Sequence, residues 1–383
     1  MTIPYTLKCK NIDVCEIDIR NSEIVEIIHI YNKEYAPMDT VCHGNINKSK
    51  LNYWLENRTI PVNRDGYSEL IKELDIKNSK DYLIDNLALS LSDQYWLKPV
   101  DLDVQWDDVN FFHRDYNIIE FSNATFGKNN SIHSSLKSIH ISTDKLKTPN
   151  ASLGGMLKKI WVQKDHINYL IKGSHTLYNL EPVNEALATQ IAHVLGAPCV
   201  DYTLAQLKGK RTNQLVSVCL DIVDENEHMV SAYSIVLGNP ELKIDNYHDY
   251  IDFVSEEFNV PHAKEEIEKM LMIDYVMMNE DRHLNNFGLT RDTQTLKWSR
   301  VCPIYDSGKA MNTAINEEYW NFESGEVRSF NGELVSADKL LEYIDIPVSL
   351  SQINQLKELT HWYEKTLYQY QDILKLKETS IVD

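Results

Sequence analysis

Residues 274–308, DYVMMNEDRHLNNFGLTRDTQTLKWSRVCPIYDSG, decide how this chain is read. They open on the end of a long apolar helical run, IEKMLMIDYVMM (267–278), and pass into a polar cluster of Asp281, Arg282, His283, Asn285 and Asn286. A strand-like NFGLT follows, then a polar turn, a second apolar run VCPIY, and Asp306-Ser307-Gly308. A carboxylate and an amide five residues apart on one loop can face a common pocket, and a second carboxylate returns beside them on a neighbouring strand. Phosphoryl transfer needs this set: hard oxygen ligands for Mg²⁺ and a carboxylate that orients the attacking hydroxyl. Taken singly, each residue has an ordinary explanation. Asp281 could end a helix and pair with Arg282 or Lys309, and Asn286 and Asp306 could simply form turns. Their order, with an apolar helix before them and apolar strands between them, favours a joint role.

The D-R-H-x-x-N motif followed by P-I-Y-D-S-G resembles the catalytic and metal-binding loops of HipA-like kinases. These are bacterial serine/threonine protein kinases of toxin–antitoxin modules, distantly related in fold to the phosphoinositide kinases. In both groups the Arg-His pair follows the catalytic Asp, whereas ordinary protein kinases place it in front. The resemblance implies that Asp281 is the catalytic carboxylate and that Asn286 and Asp306 are Mg²⁺ ligands. It also implies that ATP is the co-substrate and that His283 braces the loop at the nucleotide site.

Upstream, Ser152-Leu-Gly-Gly-Met-Leu-Lys-Lys159 resembles the family's S-x-x-G-x-x-x-K loop. This implies that Ser152, Gly154, Gly155 and Lys159 lie at the nucleotide phosphates, and that Ser152 is open to autophosphorylation that silences the enzyme by adding charge there. Lys172 lies in the apolar run INYLIKG, where a lysine is costly unless paired. A kinase supplies such a lysine with phosphates and a helix glutamate; Glu185 is the expected partner, with Glu181 nearby. The adenine-contacting connector is expected after QLVSVCLDIV, at Cys219 and Asp221. By motif the resemblance covers about residues 150–310. The sequence departs from the family pattern in its first 145 residues, in the short Lys159–Lys172 interval, and in the Lys309-Ala310-Met311 that follows D-S-G.

Alternating and β-branched residues predict strands over 3–30, and helices are expected at 48–57, 66–74 and 79–88, with a loop over 98–117. The polar stretch from about 130 to 150 marks a boundary. Beyond it, strands are expected at 158–163, 167–173, 199–207 and 214–223. A helix interrupts them at 182–195, started by Pro182 and ended by Gly196. Helical periodicity returns at 245–258, 262–279 and 349–378. The fold class expected is α+β: a bilobal, protein-kinase-like (HipA-like) fold with a mixed, β-rich N-lobe at 146–225 and an all-α C-lobe at 226–383. Residues 1–145 form an N-terminal accessory α/β region.

The chain of 383 residues has 38 Lys and Arg against 57 Asp and Glu, a net charge of −19 that disfavours unaided binding to a phosphate backbone. Most of the excess lies beyond residue 150. No signal-peptide pattern opens the chain and no apolar stretch is long enough to span a bilayer, so a cytoplasmic location is expected. The six cysteines are scattered without a C-x-x-C pair, which reads as reduced thiols. The run DLDVQWDDVNFF (101–112) begins like a Ca²⁺ loop but has Trp106 and Phe112 where Gly and Glu are needed. DENEH (224–228) reads as a solvated hairpin tip, and no zinc motif is present.

The expected activity is therefore ATP- and Mg²⁺-dependent phosphorylation of Ser or Thr on a protein substrate. The resemblance adds a small helix-turn-helix antitoxin as a candidate partner, with no direct contact to nucleic acid or membrane. Two alternatives remain open: a small-molecule phosphotransferase on a kinase-like fold, and a catalytically inactive module that binds nucleotide or a partner.

Overall fold

The computed structural model describes residues 3–116, 118–127, 147–174, 180–207, 214–311, 325–346 and 356. The polar stretch from 130 up to residue 146 and the helices expected over 349–378 lie outside the described residues, Leu356 apart.

The chain opens as an antiparallel meander, β1 (Ile3–Cys9), β2 (Ile12–Arg20) and β3 (Glu23–Ile30). The short hairpin β4 (Val41–Cys42) and β5 (Asn45–Ile46) follows, and β6 (Tyr95–Pro99) later returns to pair with β1, giving the sheet order β3-β2-β1-β6. Alternation places Leu7, Cys15, Ile17 and Ile19 in a core closed by Leu51, Trp54 and Leu55 of the helix Lys48–Asn57. Asn47 caps that helix by accepting from the Lys50 N–H. Helices at Tyr67–Glu73 and Ser79–Asp85 match the expected spans, and the expected loop over 98–117 contains one short helix, Trp106–Val109.

The second sheet has the order β7-β8-β10-β9 and is antiparallel throughout, built from β7 (Lys159–Lys164), β8 (Ile167–Lys172), β9 (Thr203–Leu207) and β10 (Gln214–Leu220). Asp165 and His166, both at positive φ (51° and 61°), make the two-residue turn that joins β7 to β8. The short Lys159–Lys172 interval is therefore one complete hairpin, with the two lysines paired at its open end. The helix Leu180–Leu195 carries Pro182 as its third residue, inside the first turn, where an N–H has no intrahelical acceptor to lose. Gly196, at φ 61°, ends the helix as its sequence position requires. Residues 199–202 do not extend β9; Cys199 instead makes an isolated parallel bridge to Ile304.

The C-terminal part is helix-rich, with Ala232–Gly238, Tyr247–Glu256 and Ala263–Met277 around the largest apolar cluster. It is not all-α. Among the described residues it also carries the sheet of β11 (Glu227–Ser231), β12 (Gly288–Asp292) and β13 (Trp298–Val301), and the hairpin of β14 (Glu326–Arg328) and β15 (Leu334–Ser336). The apolar runs on either side of the polar turn near 293–297 pair with each other, and β11 adds to their edge. This sheet corrects the reading of DENEH: Asp224–Asn226 form the turn, but His228 enters β11 fully buried and accepts from Arg291.

One hydrophobic cluster joins Ile60, Leu89, Trp96, Phe121 and Phe126 to Ile160, Val162, Ile171, Val216 and Val218 of the second sheet. The N-terminal region also reaches the helix-rich part. Gln94 donates to the carbonyls of Asp224 and Glu227, Tyr35 to that of Gln294, and Tyr95 stacks on His228.

Candidate active site

Three elements deliver three charges to one buried point. The open end of the β7–β8 hairpin supplies Lys172, the second turn of the helix Leu180–Leu195 supplies Glu185, and the segment after β13 supplies Asp306. The Lys172 ammonium pairs with a Glu185 carboxylate oxygen and lies 2.6 Å from Asp306 Oδ1. Glu185 is held from its other side by the hydroxyl of Ser217 on β10. Glu181, the other candidate, lies one turn earlier on the same face and accepts from Ser174 instead. Burial would lower the Lys172 pKa, but Asp306 and Glu185 outweigh it and hold the group well above its usual range. Burial would likewise raise the Asp306 carboxyl, yet Lys172 and then Lys159 keep it ionised, well below the usual range. Asp306 sits at φ 56°, a left-handed conformation that Asp tolerates better than most residues.

The loop carrying Asp281 and Asn286 is anchored from behind by Arg282, only 1 % exposed. Its guanidinium grips Asp274 in a bidentate pair, Nε to Oδ2 at 2.8 Å and Nη2 to Oδ1 at 3.0 Å. It also donates to the carbonyls of Asn286 (2.7 Å) and Tyr305 (2.6 Å) and to Ser307 Oγ (2.9 Å). One buried arginine thus fixes the Asp281–Asn286 loop against the Tyr305–Ser307 segment. The pairing of Asp281 with Arg282 considered from sequence does not occur. An aspartate within an apolar helix, Asp274, was the signal available for this anchor.

With its neighbour so occupied, the Asp281 carboxylate has no hydrogen-bond or ion-pair partner among the described residues. Its backbone is held by Asn279, which accepts the Asp281 N–H, and by Asn286 Nδ2, which donates to the Asp281 carbonyl at 2.7 Å. Among the described residues no donor reaches Asn286 Oδ1, and Lys172 takes only one oxygen of Asp306. A free amide oxygen and a free carboxylate oxygen, both preset, fit the donor set of a hard divalent cation. His283 donates its backbone N–H to the Asp281 carbonyl and accepts the Asn285 N–H at Nδ1. Asn184 ties down the next segment by donating to the carbonyls of Gly308 and Ala310, leaving Lys309 exposed.

The glycine-containing loop lies beside these groups. Ser152 closes a 3-10 turn, Pro149–Ser152, by donating to the Pro149 carbonyl at 3.0 Å. Gly154 borders open space, and Gly155, at φ 86°, leaves no room for a side chain because a Cβ there would meet the Lys159 ammonium. Lys159 is buried, its charge felt by Asp306, and desolvation pushes its pKa down to about 8. On β10, Cys219 shares the apolar cluster of Val200 and Tyr202, and Tyr202 in turn packs its ring 5.4 Å from the Lys172 ammonium. Asp221 accepts from the N–H groups of Val223 and Ile222 and lines a cleft of about 380 Å³ with Phe112, His113 and Asn168. No described contact joins its side chain to Lys172 or Asp306.

Elsewhere, His193, Cys199 and Asp201 converge, although no zinc motif was read in the sequence. His193 and Asp201 are bound at 2.7 Å on the surface, and burial pushes the Cys199 thiol up to about 11, so it is not a ready thiolate. No helix among the described residues is long and apolar enough to cross a membrane.

The model of the HipA-like C-terminal domain family matches residues 151–345, just over half of the chain. Among solved structures, the chain is similar to the Helicobacter pylori proinflammatory kinase CtkA, at 18 % identity and a TM-score of 0.40, over 55 % of this chain and 90 % of that one. It is also similar to a structure of the Shewanella oneidensis MR-1 toxin–antitoxin proteins HipA and HipB with operator DNA, at 11 % identity and a TM-score of 0.49, over 95 % of this chain and 97 % of that one. No curated protein matches the sequence.

Proposed function

Because the chain belongs to the family of HipA-like C-terminal domains, we propose that it is an ATP- and Mg²⁺-dependent kinase that phosphorylates serine or threonine on a protein. The observation that carries this reading is the Lys172–Glu185–Asp306 cluster, tied through Arg282 to the loop of Asp281, whose carboxylate has no partner among the described residues. In this reading Lys172 and Lys159 receive the nucleotide phosphates, and Glu185 holds Lys172 in place. Asn286 Oδ1 and the second oxygen of Asp306 would hold Mg²⁺, whose charge would offset that of the phosphates. Asp281 accepts a hydrogen bond from the substrate hydroxyl, orients it and receives its proton. Arg282 keeps both loops at fixed separation and touches no reacting atom. Cys219 and Asp221 mark the strand end where the adenine would lie.

Ser152 is in this account also a substrate. Its hydroxyl hangs on one local hydrogen bond in the loop that covers the phosphates, and a phosphate there would set two negative charges against ATP. A small antitoxin protein is proposed as a partner and a protein as the substrate, in line with the family. Mass spectrometry of a cell lysate incubated with Mg-ATP and the enzyme tests the substrate class. New phosphoserine or phosphothreonine peptides, absent with Asp281→Ala, are expected; phosphate found only on metabolites would replace this reading with small-molecule transfer.

A further inference from the structure

Arg64 belongs to the N-terminal region, well outside every motif of the site, and only 4 % of it is exposed. Its guanidinium donates to three successive carbonyls of the glycine-containing loop: Nε to Gly155 at 2.9 Å, and Nη2 to Gly154 at 2.7 Å and to Leu153. The next residue, Asp65, donates its N–H to the Met156 carbonyl at 3.0 Å. Arg64 forms no ion pair among the described residues, and its Nη1 is buried without a partner. A buried cation lacking a carboxylate is costly, so its three carbonyl contacts call for a reason.

Peptide geometry supplies one. In a trans peptide the C=O of one residue and the N–H of the next point in opposite directions. Carbonyls of Leu153, Gly154 and Gly155 drawn toward Arg64 therefore send the N–H groups of Gly154, Gly155 and Met156 to the other side. Those three donate to no acceptor among the described residues. Beside them lie the open space at Gly154 and the ammonium of Lys159. Successive free N–H groups near a cation form an anion-binding concavity.

We infer that Arg64 is a positioning residue for the phosphate loop: by holding its carbonyls it aims the Gly154, Gly155 and Met156 N–H groups at the phosphates of the nucleotide. This rests on the kinase reading above and adds to it a control of nucleotide affinity by the N-terminal region. Burial that lowers the Arg64 pKa is tolerated because the charge stands directly behind the anion site.

The test compares binding of Mg-ATP and of adenosine to the full chain and to Arg64→Gln and Arg64→Lys, by calorimetric titration. Arg64→Gln should weaken Mg-ATP roughly ten-fold, the loss of charge-assisted contacts behind the loop, and leave adenosine unchanged. Arg64→Lys, which keeps the charge and loses the fork, should recover part of the loss. Equal weakening of both ligands, or of neither, would overturn the inference, as would failure of both variants to fold, which makes Arg64 a general fold determinant. Wild-type protein that binds neither ligand would instead sink the kinase reading itself.

Discussion

Lys159 and Lys172 stand directly opposite each other on adjacent antiparallel strands, and both are buried. Like charges in such a pair repel. Asp306 and Glu185 compensate Lys172, whereas Lys159 has no ion pair of its own among the described residues. Lys159 is thus the cation left without a direct partner, and in the proposed reading a nucleotide phosphate would supply one.

Nucleotide affinity should therefore depend on pH. Desolvation, offset in part by Asp306 and reinforced by Lys172 and Arg64, brings Lys159 from 10.5 down to about 8. Phosphates bind its protonated form, so Mg-ATP affinity should fall as pH rises through about 8, approaching ten-fold per unit beyond it. The same shift has the opposite sign for stability. Between 8 and 10.5 the unfolded chain holds the extra proton, so this group makes the fold more stable as pH rises there. Titrations at three pH values with wild type and Lys159→Met check both; a flat wild-type affinity would count against a phosphate role for Lys159.

Glu185→Ala leaves Lys172 buried with Asp306 as its one remaining anion. Phosphoryl transfer should fall by about two orders of magnitude, since the Lys–Glu pair positions the phosphates. Glu185→Gln, which can still accept from Lys172, should lie between. A Glu181→Ala control at equal protein stability separates the two glutamates.

Arg282 is an architectural group, and its loss should appear in stability before chemistry. Arg282→Ala strands Asp274 as an uncompensated buried carboxylate, a cost of about 3–5 kcal/mol. Denaturant unfolding should show a lower midpoint, and Arg282→Lys should recover little because one ammonium cannot reproduce the fork. An unchanged midpoint would mean that the buried network carries no net stability.

Removing residues 1–146 should leave the remainder insoluble or molten. The deletion uncovers Ile160, Val162, Ile171, Val216 and Val218, now covered by side chains from 60–126, and it removes Arg64 from the phosphate loop. A soluble, cooperatively folding fragment of 147–383 would contradict this.

What could be read in the sequence were the features set by short-range pattern. Asp281 and Asn286 share one loop, Asp306 follows shortly after the returning strand, and Lys172 shows as a lysine in an apolar run. What could not be read were partners set by tertiary placement. Nothing in the spacing shows that Arg282 turns back one helix end to Asp274, or that Arg64, some ninety residues upstream of the glycines, lies behind them. The choice of Glu185 over Glu181 depends on helix register, which a four-residue difference leaves ambiguous because both fall on one face. The small sheet of the helix-rich part escaped for a related reason: its edge strand β11 hides in a polar stretch whose single histidine is buried by Arg291 and Tyr95.

Phosphoryl transfer organised by Asp281 is measured most directly by following radiolabelled γ-phosphate from ATP into protein, in the presence of Mg²⁺, with wild type and with Asp281→Asn of equal thermal stability. Label on serine or threonine with wild type, and at least a hundred-fold less with Asp281→Asn, is the predicted result, since a group that orients and deprotonates the nucleophile contributes roughly that much. Equal labelling by the two proteins would contradict the account.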